Sequence, residues 1–277
     1  MLIAGCGDLG TEAGLRFLAL GHRVVGVRRR AELLPDGFER QSVDLAVDVP
    51  VVPDDVGVVV VPLAPGARTA EAYRRTYVDG PRHVLDGIPD GASPRIVFVS
   101  STAVWGAADE GVVDERTPVS PATDTAAVLL EAERLAATGF SEVCLLRLGG
   151  VYGPGRERLI DQVRSGTARI PTGSAMTNRI HRDDAARAIV HLALRNEPMP
   201  PVVIGVDDEP AEVGDVLRFI ARELDLPDPP TGDDAPRRAP SRRISNALLR
   251  STGFEPTYPT YREGYRAVLA GVALRHP

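Results

Sequence analysis

The sequence predicts an α/β fold built on a doubly wound parallel sheet with a small C-terminal lobe. Three observations carry this. Short β-branched apolar runs recur along the chain, stretches with helical spacing separate them, and the first strand-to-helix junction holds Gly5-Cys6-Gly7-Asp8-Leu9-Gly10, a GxGxxG. Together they predict a Rossmann-type core.

The apolar runs are residues 2–4, 24–27, 58–61, 96–99, 143–146 and 202–204. They are unbroken rather than alternating, as suits parallel strands buried on both faces. Residues 11–20 place Ala13, Phe17 and Leu20 on one helical face and stop at Gly21; residues 68–88 and 125–138 behave similarly. Residues 183–194 open on Asp183 and Asp184, which complement a helix dipole. Residues 226–240 contain five prolines and several charges and read as an exposed, mobile loop. The expected division is a dinucleotide-binding core over residues 1–150 and a C-terminal substrate lobe over 151–277, interleaved with the last sheet strand near 202–206.

Composition narrows the chemistry. The chain has 277 residues and a formal net charge of -6, and all 32 basic residues are arginine. Without lysine there is no Schiff-base lysine, no P-loop lysine and no lysine to lower the pKa of a catalytic tyrosine. Arginine cannot replace it as a proton donor, because guanidinium stays charged at working pH. Taken alone, the all-arginine set reads as a composition bias. The acidic balance and the lack of a basic stripe argue against a nucleic-acid partner. Two cysteines, Cys6 and Cys144, and five histidines without HExxH spacing give no support for a metal site. There is no basic n-region, and residues 56–63, the most apolar stretch, are far short of a bilayer span, so no membrane partner and a cytoplasmic location are expected.

The GxGxxG lies where a strand gives way to a helix, the context in which the pattern has meaning. Gly5 permits the tight turn, Gly7 lets backbone N–H groups approach a pyrophosphate, and Gly10 lets helix pack on strand; Asp8 and Leu9 belong to the same loop. The second strand runs into Arg28-Arg29-Arg30, where an acidic residue would instead hold a ribose 2′-OH. Guanidinium groups suit a 2′-phosphate, so NADP(H) is the expected cofactor, with Arg28 facing the phosphate and Arg29 or Arg30 adding charge or stacking on adenine. Asp44 and Leu45 are placed at the adenine, and Pro62 and Leu63 along the adenosine or nicotinamide side.

Residues 97–106, Val-Phe-Val-Ser-Ser-Thr-Ala-Val-Trp-Gly, resemble the fifth-strand motif of the extended short-chain dehydrogenases/reductases, the group of NAD(P)-dependent epimerases and dehydratases. Tyr77-Val78-Asp79-Gly80, Asp114-Glu115 with Pro118 and Pro121, residues 147–155 and residues 179–184 are similar to that family in order and spacing. The chain therefore looks like an atypical member. The resemblance implies Ser101, with Thr102 beside it, as the hydroxyl that positions a carbonyl, followed by a Tyr and a Lys four residues apart on the next helix. Aligning on Glu133 puts Thr125 and Leu129 at those positions; aligning on Glu131 puts Thr123 and Ala127 there. Thr125 can orient a carbonyl but cannot relay a proton, which leaves Asp124, Tyr152, His181 or water as donors. The family also implies a homodimer through residues 68–88 and 125–138. Arg147, Arg156, Arg158 and Arg179 make an anionic small-molecule substrate an option. Two functions follow: an oxidoreductase or epimerase-like enzyme on a small carbonyl or sugar-type substrate, or a non-catalytic NADP(H)-binding sensor or regulator.

Overall fold

The computed structural model describes residues 1–106, 111–140, 142–232 and 242–277. β1 (Leu2–Ala4) leads through α1 (Asp8–Ala19) to β2 (Val25–Arg28), β3 (Glu39–Ser42) and β4 (Val58–Val61). A helical stretch follows as α2 (Ala70–Arg74), one π-helical turn (Arg75–Asp79) and α3 (Gly80–Asp86). Next come β5 (Arg95–Ser101), β6 (Gly111–Val113), α4 (Asp124–Gly139), β7 (Glu142–Leu148), β8 (Gly150–Tyr152), α5 (Arg158–Arg164), β9 (Met176–Thr177), β10 (Arg179–His181) and α6 (Arg182–Ala193). The chain continues with β11 (Val202–Gly205), β12 (Ala211–Glu212), α7 (Val213–Glu223), β13 (Arg242–Ile244), α8 (Ala247–Ser251) and α9 (Tyr261–Leu269).

Among the described residues the main sheet has seven strands in the order β11-β7-β5-β4-β1-β2-β3, every neighbouring pair parallel. Chain order reverses between β1 and β4. That switch point opens a crevice at the carboxyl ends of the strands, where ligands bind in sheets of this type. Successive residues of each strand feed opposite cores. Ile3, Val58, Val60, Val97 and Val99 join Ala13 and Phe17 of α1 and Ala185 and Ile189 of α6, whereas Leu2, Val59, Val61, Ile96 and Phe98 meet Val128, Ala132 and Ala136 of α4. The unbroken apolar runs exist because both faces are covered.

Several features differ from the expectation. α1 begins at Asp8 rather than Thr11, directly after Gly7. The helix expected over 68–88 is interrupted by the π-helical turn, since Pro81 has no N–H to donate to the Tyr77 carbonyl one turn back. β3 is Glu-Arg-Gln-Ser at the sheet edge and mostly exposed, so no apolar run announces it. α6, expected to lead into the substrate lobe, packs on the sheet beside α1. The lobe's own core forms around Ile160 of α5, Leu217 and Ile220 of α7 and Tyr261 and Tyr265 of α9. Within the stretch expected to be mobile, Pro230 and Gly232 are hydrogen-bonded to Ile170 through their backbones, and residues 233–240 lie outside the described residues. No helix among the described residues is long and apolar enough to cross a membrane.

Candidate functional site

A cleft of about 640 Å³ runs along the carboxyl ends of the strands at the switch point. Its wall brings together Gly5, Gly7, Asp8, Leu9, Arg28, Arg29, Asp44, Leu45, Pro62, Leu63 and Ser101, residues spread from position 5 to position 101. Gly10 stands behind the wall. A Cβ there would lie 3.0 Å from Ile3 Cγ2 and 3.1 Å from both the Gly5 carbonyl oxygen and Pro62 Cγ, so its role is to let α1 pack on the strands.

The glycine loop is built by its backbone. Gly5 has φ +99° and a Cβ would come 2.5 Å from Leu63 Cδ2, so both conformation and space demand glycine. The Gly5 and Cys6 amides donate to the Val27 carbonyl at 3.0 and 2.8 Å, fastening the loop to β2. A Cβ on Gly7 would meet nothing within 4 Å. The first amides of α1 beyond it have no partner within the helix, and the positive end of the helix dipole faces an open approach. Cys6 is sealed beneath the loop and burial pushes its thiol up to about 12, so it is no nucleophile at neutral pH.

Asp8 departs from the expected role. Its carboxylate accepts from Arg182 at 2.6 Å, from Arg156 at 3.1 Å and from the His276 amide at 3.2 Å. These three bonds tie the carboxylate to the scaffold. Arg182, whose side chain is 1% exposed, also holds Asp183 at 2.6 Å and the Leu274 carbonyl at 2.8 Å. His276 reaches Glu12 at 2.8 Å, and Arg28 donates to the Pro277 carbonyl at 2.8 Å. Residues 274–277 thus run alongside the glycine loop to the end of β2. Nothing in the local sequence linked Asp8 to partners so remote in the chain.

At the other end, Ser101 lines the cleft and its oxygen accepts from the Ala103 amide at 3.2 Å, leaving its own O–H to donate. Ser100 donates to Glu133 at 2.6 Å, and Glu133 takes two bonds from Arg147 at 2.9 and 2.6 Å, with that guanidinium 4.5 Å over the Trp105 ring. This buried group is structural support under the cleft floor. Thr102 and Thr125 are not among the lining residues. Thr102 accepts from Arg242 through its carbonyl, and the Thr125 hydroxyl pairs with Thr123 at 3.1 Å. Leu129 is buried with Val104, Trp105 and Ile204, while Ala127 is exposed.

The expected proton donors are also elsewhere. Tyr152 is buried in the lobe against Tyr265 and His181, with burial raising its phenol far above the ordinary value. His181 caps α6 by accepting from the Asp183 amide, and burial lowers its pKa. Asp124 is exposed in the first turn of α4, where Thr123 takes the N-cap position by accepting from the Ala126 amide. Of the four arginines considered for an anionic substrate, Arg147 and Arg179 are buried and engaged, Arg179 with Tyr265 and Thr177. Arg156 borders the cleft, and with Arg158 it lines an adjoining open groove on α5 that contains Gln162, Ser165 and Thr167.

Sheet order, glycine loop and crevice define a dinucleotide-binding α/β protein of the short-chain dehydrogenase/reductase type. The model of the NAD dependent epimerase/dehydratase family matches residues 1–205, and the chain belongs to that family. It is 30% identical to the 3-diazoavenalumate denitrifying reductase of a Streptomyces species, over 95% of this chain and 98% of that one. A solved structure from Methylobacillus flagellatus, described in terms of the same family, is 36% identical with a TM-score of 0.80, covering 98% of this chain and 97% of the other. MoeE5 in complex with UDP-glucose and NAD is 25% identical with a TM-score of 0.79, covering 97% of each chain.

Proposed function

We propose that the chain is an NADP(H)-dependent reductase acting on a small carbonyl or sugar-type substrate without the family's Tyr–Lys pair. The carrying observation is that the glycine loop, Arg28, Arg29 and Ser101 line one continuous cleft. The residues fit a dinucleotide, since Gly7 leaves open space at the start of α1 that a side chain would occupy, while Gly5 makes the turn against Leu63. Bound there, the nicotinamide supplies or accepts a hydride. The loop amides hold the pyrophosphate, Leu45 and Leu63 give apolar contact, and Ser101 donates to the substrate oxygen. Arg28 already binds an oxygen, the Pro277 carbonyl, which a 2′-phosphate displaces with a stronger charge-assisted bond. The reductase activity named for the Streptomyces relative, similar over nearly its whole length, favours reduction over epimerisation.

The test is a nicotinamide fluorescence titration with NADPH and NADH, repeated on an Arg28→Ala/Arg29→Ala double variant. The reading expects the variant to lose NADPH affinity much more than NADH affinity; equal losses defeat the NADP(H) assignment. A second reading, a non-catalytic NADP(H)-responsive regulator, is favoured by Leu129 in the core and by the Thr125 hydroxyl pairing with Thr123. Tight NADPH binding with no oxidation across sugars, ketones and aldehydes selects it.

A further inference from the structure

If the chain is a reductase, the oxygen that receives the carbonyl's electrons needs a proton, and the side chains first expected to give it lie off the cleft. Tyr77 lies on it. It lines the same cleft as Leu63, Ser100 and Ser101, and its ring packs on Tyr73, with centroids 5.5 Å apart, and on the cluster of Val104, Trp105 and Leu129. That cluster contains one of the two residues aligned with the family's lysine. The Tyr77 hydroxyl makes no hydrogen bond to any described residue, and the residue is half-buried at the cleft where Tyr152 is buried.

Its position comes from the helix that carries it. Tyr77 sits in the π-helical turn Arg75–Asp79, four residues before Pro81. The widened turn alters which residues face the cleft relative to a regular α-helix, and turns of this kind recur at functional sites. Two further contacts hold the segment in place. Arg74 makes a bidentate pair with Glu131 of α4 at 2.7 and 2.8 Å, and Gly80 allows approach to Leu63, whose Cδ1 a Cβ would meet at 3.0 Å.

We infer that Tyr77 donates the proton to the substrate oxygen, the task that the family resemblance gives to a tyrosine on the next helix. This rests on the reductase reading. A hydride from reduced nicotinamide adds to the carbonyl carbon, the π pair moves to oxygen, and the oxygen takes the Tyr77 proton. The phenolate regains a proton from water in the open cleft, so carbonyl, NADPH and one proton give alcohol and NADP⁺. Burial, with Tyr73 alongside, raises the phenol above its ordinary value. Tyr77 is thus protonated at neutral pH and carries the proton it would donate. It is a poor base for the reverse direction.

The deciding experiment is a crystal structure of the NADPH complex, joined to a Tyr77→Phe variant, which removes only the hydroxyl. Two hydroxyls serving one oxygen must lie within two hydrogen-bond lengths of each other, roughly 6 Å. The inference predicts Tyr77 Oη within that distance of Ser101 Oγ, both on the side of the nicotinamide ring open to substrate. In solution Tyr77→Phe keeps the NADPH dissociation constant within a factor of about two while slowing reduction of phenanthrenequinone about 10²-fold or more. A bound complex with Tyr77 Oη far from Ser101, or a variant that reduces the quinone as fast as the wild type, overturns the inference and leaves the proposed function intact. Failure to bind NADPH at all overturns the proposed function, and the inference falls with it.

Discussion

The two ends of the cleft are built in different ways. At the β1–α1 end the proposed ligand contacts are backbone amides, which ask of the sequence only glycine where a side chain would intrude. At the β5–α4 end the family's chemistry needs particular side chains. There the floor is a buried Ser100–Glu133–Arg147 group, and Leu129 packs in the core. A site made of backbone tolerates sequence change as long as its glycines stay. A site made of side chains can lose its function while the fold around it persists.

Disrupting the floor should have the largest effect. Glu133→Ala leaves the Arg147 guanidinium buried without its carboxylate and is expected to cost about 3–5 kcal/mol of stability in urea unfolding. Replacing Glu133 and Arg147 together by apolar residues of similar volume should cost much less. That contrast would mark the pair as scaffold.

A buried titratable group on the lobe side gives a pH signature. Asp207 is buried, its Oδ2 has no hydrogen-bond partner among the described residues, and burial pushes its carboxyl up to about 8 from an ordinary 3.8. Between those values the folded state holds a proton that the unfolded state has released, so stability falls as pH rises through this window and levels off above it. Asp207→Asn should flatten the slope and gain stability at pH 8, as read by thermal melts across pH.

Within the glycine loop the comparison can be sharpened one methyl group at a time. Gly5→Ala meets both a positive φ and Leu63, and should lose NADPH affinity together with about 1–3 kcal/mol of stability. Gly7→Ala meets open space and should lose affinity with the melting temperature nearly unchanged. The smallest effect is expected from Arg28→Ala, about tenfold weaker NADPH with little change for NADH, corresponding to about 1.4 kcal/mol.

These contrasts also explain what the sequence could disclose. Gly5 is legible because its positive φ is a local backbone requirement, and Arg28 is legible as a cleft residue because it ends the strand adjoining the loop. The ion pair of Asp8 with Arg182 was not legible, since it depends on α6 packing beside α1. Thr125 was placed by alignment along α4, but its hydroxyl turns to Thr123 beside the helix cap. Tyr77 was visible in a family-like motif, yet its exposure to the cleft depends on a turn widened before Pro81. Proline two to four residues after an aromatic in a helical stretch is a signal that could have prompted the question.

We propose that the cleft holds NADP(H) at its β1–α1 end although the chain has no lysine to complete the family's Tyr–Lys pair. Fluorescence titration of the unmodified protein with NADPH and NADH tests it most directly. Saturable binding of both, with NADPH at least about tenfold tighter, is the predicted result; saturable binding of neither would contradict it.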